Sequence, residues 1–136
     1  MIYLDSNVFI YAALNEEEKG NKSRELIKII RTGGQRATTS SLTFDEVLWK
    51  VKKERGFEAA LVAGKAFLEL SNLVLLDVTS TTISVAYEII KEYKLDPRDA
   101  THAASAIVNG IQTVVSDDPD FDKVKKLKRK SIEEYK

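Results

Sequence analysis

Short apolar segments alternate with longer segments of helical periodicity along this chain, and that alternation restricts its fold more than any other feature. The apolar segments have strand length and lie at 2–4, 73–78 and 113–116, and the more polar segment 35–39 is a weak, short strand. Helical patterns lie between and after them at 8–14, 22–32, 44–55, 58–70, 82–94 and 96–109. Strands that alternate with helices predict an α/β fold with a mostly parallel sheet.

Finer features follow from the same patterns. The charged run 15–20 predicts a loop, with Asn21 as the cap of the following helix. The mostly apolar run 73–78 predicts a strand covered on both faces. The basic tail from Lys123 predicts little structure beyond a small edge strand. The residues expected to face the core from the two middle helices are Leu61, Phe67, Leu68, Ile83, Ala86, Tyr87 and Ile90.

The composition limits the classes of function. A length of 136 residues suits one domain, 1–136, and equal numbers of basic and acidic residues, 21 each, give zero formal charge. Nucleic-acid binding would therefore depend on local patches. The absence of cysteine excludes disulfides and thiolate zinc sites and suits the cytoplasm. No apolar run approaches membrane-spanning length, and the amino terminus lacks the pattern of a signal peptide.

Four acids fall where predicted helices begin. Asp5 and Asp118 follow strands directly, Glu46 follows the weak strand at 35–39, and Asp99 opens an alanine-rich helix. Open α/β sheets place their ligand sites at the carboxyl ends of the strands. Four carboxylates that share one cleft would repel one another, and Mg²⁺, which prefers oxygen ligands, relieves that repulsion.

Each acid also has an ordinary structural explanation as a helix cap. Asp5 or Ser6 can cap the first helix, and Asp118 with Pro119 can open a short one. The segments 43–46 and 96–99 both fit capping boxes. For any one acid the cap is the better explanation, whereas the set of four favours a shared site.

Other chemistry has weaker support. The only histidine, His102, lies three residues after Asp99 and is expected to be a packed or supporting residue. Gly33 and Gly34 lack the residues of a phosphate-binding loop, and the acidic run 118–122 lacks the glycine and glutamate of a calcium loop. Two basic runs, at 50–55 and 123–130, are available for phosphate contacts, although most of these residues are expected to be solvated surface.

The ordered set of acidic motifs resembles the PIN domain family, and among its members the small VapC-type toxins. The matching segments are LDSNV at 4–8, SLTFDEV at 41–47, RDATHAA at 98–104 and VSDDPDF at 115–121. The resemblance implies a three-layer sandwich with a central sheet of about four or five strands. It also implies Mg²⁺ or Mn²⁺, cleavage of single-stranded RNA, a homodimer and a small antitoxin partner.

The resemblance carries over to individual positions. Asp5, Glu46 and Asp99 match the first three family acids, and Asp118 matches the fourth, with Asp117 and Asp120 close enough to compete for that role. The small polar positions that orient water or phosphate are matched by Ser6, Asn7 and Ser116.

The resulting hypothesis is a metal-dependent endoribonuclease, the toxin of a toxin–antitoxin pair, in which Asp99 or Asp118 orients or deprotonates the attacking water. A housekeeping RNA-processing nuclease would show the same residues. The rival from another class is a non-catalytic module that binds RNA or a protein, with the acids as caps or as a dock for a partner's arginine.

Overall fold

The structure, a computed structural model, describes residues 1–135 and contains a five-stranded parallel sheet with helices on both faces. Its strands, in the order β3-β2-β1-β4-β5 across the sheet, are β1 (Ile2–Leu4), β2 (Ala37–Ser40), β3 (Leu73–Leu76), β4 (Thr113–Val115) and β5 (Lys128–Lys130). Its helices are α1 (Ser6–Leu14), α2 (Glu18–Arg31), α3 (Ser41–Arg55), α4 (Phe57–Glu69), α5 (Ser80–Tyr93) and α6 (Pro97–Val108), with a 3-10 helix at Pro119–Lys123. The predicted α/β sandwich is therefore confirmed.

The central strand β1 determines where the functional residues meet. Tyr3 pairs with Thr38 of β2 on one side and with Val114 of β4 on the other. All strand pairs are parallel, so every strand ends at the same edge of the sheet. The polar residues that follow β1, β2 and β4 consequently lie along one edge, at the position where open α/β sheets bind ligands.

Alternation along β1 divides the core into two layers. Ile2 and Leu4 face the layer that includes α1 to α4, whereas Tyr3 faces α5, α6 and the 3-10 helix. All three side chains of β1 are at most 5% exposed, because helices cover both faces of this strand. This burial explains why β1 consists of three consecutive apolar residues and shows no alternation with polar ones.

The segment 15–20 is not the predicted loop throughout, because α2 begins at Glu18. The side-chain oxygen of Asn15 accepts from the backbone N–H groups of Glu17 and Gly20, at 2.8 and 3.0 Å. Asn15 thus satisfies donors at the start of α2, and the predicted cap, Asn21, lies inside the helix, where its side chain accepts from Arg24.

Several residues expected in the core are exposed. β3 lies at the edge of the sheet and is not covered on both faces, since Val74 and Leu75 are 42% and 39% exposed. Phe67 and Ala86 are buried as expected. Their predicted companions, however, are between 49% and 60% exposed, namely Leu61, Leu68, Ile83 and Tyr87. Helical periodicity identified these stripes, but it could not tell that no helix within residues 1–135 covers them.

The tail contains more structure than its basic composition suggests. The 3-10 helix buries Phe121, the following turn buries Val124 and Leu127, and β5 then adds the predicted edge strand. Within residues 1–135, no helix combines the length and apolar character that a membrane span requires.

Candidate metal centre

Asp5 is the most buried acid of the site, with 4% of its surface exposed at the end of β1. One carboxylate oxygen accepts from the backbone N–H of Ser6 at 2.8 Å, so Asp5 does cap α1. The other oxygen accepts from the Ser116 hydroxyl, at 2.6 Å, across the gap between β1 and β4. Asp5 is therefore both a cap and a fixed member of the polar edge.

Glu46 reaches the same edge by a different route. α3 begins at Ser41 instead of near Phe44, and Thr43 lies inside it with its hydroxyl 2.6 Å from that of Thr39. The capping box predicted at 43–46 is therefore not formed. The Glu46 carboxylate instead lies 2.5 Å from Nε2 of His102, while Asp45 is exposed, as expected for its neighbour on the helix.

His102 joins the acids and has a larger structural role than the sequence indicated. Its ring is fully buried, with Nδ1 2.6 Å from the Tyr3 hydroxyl and Nε2 near both Glu46 and Asp5, at 2.5 and 3.6 Å. Burial alone would lower the pKa of His102, but the Tyr3 oxygen and the two carboxylates raise it to about 10. The ring is thus positively charged at neutral pH and lies between two acids. The signal in the sequence was a histidine on the sheet-facing side of α6, which is ambiguous by itself.

A second group of acids lies beside the first. Carboxylate oxygens of Asp99, Asp118 and Asp120 all lie within 4.8 Å of one another. Asp118 caps the 3-10 helix by accepting from the Asp120 N–H at 2.9 Å. α6 does start at Pro97 as predicted, but Asp96 makes no side-chain cap bond, and Asp99 contributes to the cluster instead.

The electrostatics of this second group fit a cation. Partial burial, with the charges of Asp118 and Asp5, raises the pKa of Asp99 to about 7. Burial also raises the pKa of Asp5, although His102 and Ser116 oppose that shift. Three carboxylates this close together, with the pKa of Asp99 raised by burial and by neighbouring charge, supply the oxygen donors that Mg²⁺ or Mn²⁺ prefers. Asp99, Asp118 and Asp120 therefore have the chemistry to hold a divalent cation.

The remaining predicted residues separate into two groups. The Ser116 hydroxyl donates to Asp5 and accepts from the Asp118 N–H at 3.0 Å. It also lies 3.3 Å from the Asn7 amide nitrogen, so Ser116 links the residues that follow β4 to those that follow β1. Asp117 points away, since it accepts from the Ile132 N–H and pairs with Lys19 at 2.9 Å. Of the three neighbouring acids, the structure thus brings Asp118 and Asp120 to Asp99 and leaves Asp117 outside.

The pKa shifts predict how the stability of the metal-free protein depends on pH. Folding raises the pKa of Asp99 from 3.8 to about 7, so the folded state holds an extra proton between these values and its stability falls as pH rises through them. Folding also raises the pKa of His102 from 6.5 to about 10. The stability of the folded state therefore falls a second time as pH rises through that interval.

Chemical denaturation in chelator, measured from pH 4 to pH 10, tests this expectation. The free energy of unfolding should decline across the whole range as a result of these two groups. A free energy of unfolding that rises between pH 7 and pH 10 would contradict it.

Comparisons with known proteins identify the family and support the fold. A family model described as PIN domain matches residues 2–127. No curated protein sequence matches the chain. Among solved structures, VapC20 of Mycobacterium tuberculosis, described as a Sarcin-Ricin loop cleaving toxin, is similar with a TM-score of 0.77 and 19% identity over 92% of this chain and 95% of that one.

Two toxin–antitoxin complexes are similar as well. VapBC2 of Rickettsia felis, bound to a DNA fragment from its promoter, gives a TM-score of 0.76 with 20% identity over 96% of this chain and 98% of that chain. DNA-bound VapBC of Salmonella typhimurium gives 0.75 with 23% identity over 96% and 97%. Because these identities are low, the similar structures support the fold alone. The family model, however, matches nearly the whole chain. The chain belongs to the PIN domain family.

Proposed function

We propose that this protein is a metal-dependent endoribonuclease that cleaves single-stranded RNA and acts as the toxin of a toxin–antitoxin pair in the cytoplasm. The observation that carries the proposal is the cluster of Asp99, Asp118 and Asp120 beside the buried Asp5–His102–Glu46 group. A non-catalytic module would gain nothing from carboxylates placed so that burial and the charges of Asp118 and Asp5 raise the pKa of Asp99. Membership of the PIN domain family supports the same conclusion.

The two groups of residues have different roles in this proposal. Asp99, Asp118 and Asp120 would hold Mg²⁺ or Mn²⁺, with Asp5 close enough to contribute to the local charge. When bound, the cation supplies positive charge to the reacting phosphate and lowers the pKa of water. Asp5 and Glu46 are immobilised by Ser116 and His102, so the cleft does not have to reorganise when the substrate enters.

The reaction is hydrolysis of a phosphodiester. Water attacks phosphorus in line with the departing 3′ oxygen, the new P–O bond forms as the P–O3′ bond breaks, and a proton ends on the 3′ hydroxyl. Asp99 or Asp118 would orient the water and accept its proton. The fragments should carry 5′-phosphate and 3′-hydroxyl ends.

Incubation with a mixed pool of RNA tests the proposal. Cleavage should occur with Mn²⁺ and stop in chelator, and ligation-based mapping of the fragments should find 5′-phosphate ends. Mn²⁺ should also raise Tm. At one hundred times its Kd, the ion should add about 2.7 kcal/mol to the free energy of unfolding. Folded protein that neither cuts the pool nor gains stability from Mn²⁺ would overturn the proposal and favour the binding module.

The antitoxin is proposed as a small protein that inserts an amphipathic helix between α1, α2, α3 and α4. These helices leave a groove of about 1130 Å³ with an apolar wall that includes Phe9, Val51, Ala63 and Phe67. Basic side chains, namely Arg24, Lys28, Arg31 and Arg55, lie at its border and suit acidic residues beside the apolar face of such a helix. VapBC complexes among the similar structures support a partner of this kind.

A homodimer is proposed as well. β3 is an edge strand with exposed Val74 and Leu75, and Ile83 and Tyr87 expose an apolar stripe of α5. Large apolar side chains gain stability when a second subunit covers them. Exposed apolar residues on an edge strand and on a helix therefore support self-association.

A further inference from the structure

We propose that three lysines at the amino edge of the sheet, Lys125, Lys126 and Lys128, hold the backbone of the RNA outside the catalytic cleft. We call these three residues the lysine surface. The inference rests on the proposed function for the identity of the polymer, but its test does not depend on cleavage.

The lysine surface is connected to the cleft by the chain itself. The segment after β4 leaves the carboxyl edge at Asp118, passes through the 3-10 helix and returns to the amino edge at Lys128. There the Lys128 N–H donates to the Gln112 carbonyl at 2.7 Å. Gln112 and Ser116 lie four positions apart, on either side of the three residues of β4, so the two edges of the sheet are separated here by roughly 13 Å at about 3.3 Å per residue.

The three lysines face a concave and accessible site. With Gln112 and Gly110 they line a cavity of about 580 Å³ whose apolar lining is Ile107, Ile111 and Leu127. Gly110 has open space around it, since an added Cβ would meet no atom within 4 Å. A cavity of this size has room for one nucleotide whose phosphate contacts the lysines.

The charges of the lysine surface have no partner within residues 1–135. Lys123 pairs with Asp120 at 3.3 Å and Arg129 with Asp122 at 3.0 Å, whereas Lys125, Lys126 and Lys128 lie within 4 Å of no carboxylate. Lys123 and Arg129 are thus paired with acids, whereas Lys125, Lys126 and Lys128, like Lys130 of the same run, are not.

The end of α6 does not account for this charge. A helix carries about half a negative charge at its carboxyl end, against three positive charges here. Two of its last carbonyls are already satisfied, because the Ala106 oxygen accepts from the Ile111 N–H and the Ile107 oxygen from the Gly110 N–H. The excess positive charge therefore favours a polyanion.

Single-stranded RNA suits this arrangement better than other polyanions. An RNA strand with one phosphate in the cleft has to pass around the edge of the sheet to reach the lysine surface, so it spans more than the four steps of roughly 3.4 Å that the direct distance would take. A concave site of nucleotide size also offers little to a flat surface or a rigid duplex.

The second basic run identified in the sequence is a matched control. Lys50, Lys52 and Lys53 crowd the end of α3 in the same number, but Lys53 lies 5.1 Å from the centre of the Trp49 ring. None of the three lines the cavity of the lysine surface. Their replacement removes the same total charge from a different face.

The test is the binding of a 12-nucleotide RNA by fluorescence anisotropy in chelator, at several salt concentrations. The triple variant Lys125→Gln, Lys126→Gln, Lys128→Gln should bind about tenfold more weakly at low salt, and its slope of log K against log salt should fall by about 2, at roughly 0.7 per lost contact. The control triple variant at 50, 52 and 53 should bind as the wild type does, and circular dichroism should show both variants folded.

Other outcomes would overturn the inference. Equal losses in the two triple variants would indicate an effect of net charge alone. Tighter binding of duplex DNA or of vesicles with anionic lipid than of RNA, dependent on the same lysines, would assign the surface to that partner. If binding depends on these lysines but the wild type cuts no RNA with Mn²⁺, the proposed activity fails while the RNA surface stands.

Discussion

Replacement of Asp99 by asparagine should reduce cleavage of RNA by about 10²–10⁴-fold, the range expected when a positioned acid or base is lost. Asp99 is the member of the cluster whose pKa is raised to about 7, and it lies within 4.8 Å of both Asp118 and Asp120. An amide keeps the shape of the side chain but removes the charge and the second oxygen acceptor. Initial rates on one RNA substrate with Mn²⁺, for variant and wild type, measure the loss.

The same substitution should have the opposite effect on the metal-free protein. A neutral amide cannot be repelled by Asp118 or Asp5, so Asp99→Asn should raise Tm in chelator at pH 8. It should also weaken the stabilisation by Mn²⁺. Loss of activity together with a gain of apo stability is the pattern of a metal site, whereas removal of a helix cap costs about 0.5–2 kcal/mol.

Asp96→Asn is the matched control for this prediction. Asp96 precedes the same helix, is exposed and makes no side-chain cap bond. It should leave cleavage and Tm near their wild-type values. If Asp96→Asn and Asp99→Asn have the same effect on cleavage and on Tm, the cluster has no special role, and both acids act only through the net charge of the protein.

Local patterns in the sequence predicted most of the fold because most of it is locally determined. The apolar run at 2–4 and the Pro97 start of α6 mark elements whose signals lie within a few residues. Exposure was less predictable. Tyr87 and Leu61 lie on apolar stripes of their helices, and only the three-dimensional arrangement shows that nothing in residues 1–135 covers them.

The acids of the candidate site also differ in how far the sequence predicts their contacts. Two of the four expected caps are real, since Asp5 and Asp118 each accept a backbone N–H close to them in sequence. Glu46 and Asp99 occupy equally good capping patterns, yet their side chains turn to partners from other elements. A capping motif and a site residue look identical in sequence because both favour an acid at the start of a helix.

His102 shows most clearly what local sequence patterns do not predict. Its contact with Glu46 joins residues 56 positions apart, and its contact with Tyr3 joins residues 99 apart. No periodicity or spacing reports such pairs. The positions of Asp117, Asp118 and Asp120 relative to Asp99 likewise depend on distant contacts, because Lys19 and Ile132 hold Asp117 away from the cluster.

Replacement of His102 by glutamine should destabilise the protein by about 3–5 kcal/mol at pH 7, the cost expected when one partner of a buried ion pair is removed. Glutamine retains an N–H donor that can reach Glu46, but it carries no charge. Asp5, which is 4% exposed, would then lie beside Glu46 without the cation that lies between them. Urea denaturation in chelator measures the change in the free energy of unfolding.

Tyr3→Phe separates the charge of His102 from its packing. The Tyr3 hydroxyl lies 2.6 Å from Nδ1, and its removal should cost about 1.5–3 kcal/mol, as for one hydrogen bond to a charged group. The His102→Gln deficit should shrink as the pH falls from 7 towards about 4, because Asp5, whose pKa is raised by burial, takes up a proton in the folded variant and its repulsion with Glu46 ends. A deficit below about 1 kcal/mol at pH 7, or one independent of pH, would show that packing and not charge makes His102 important. The acids of this site are thus expected to depend on two cations, one supplied by the chain through His102 and one taken up by the cluster at Asp99.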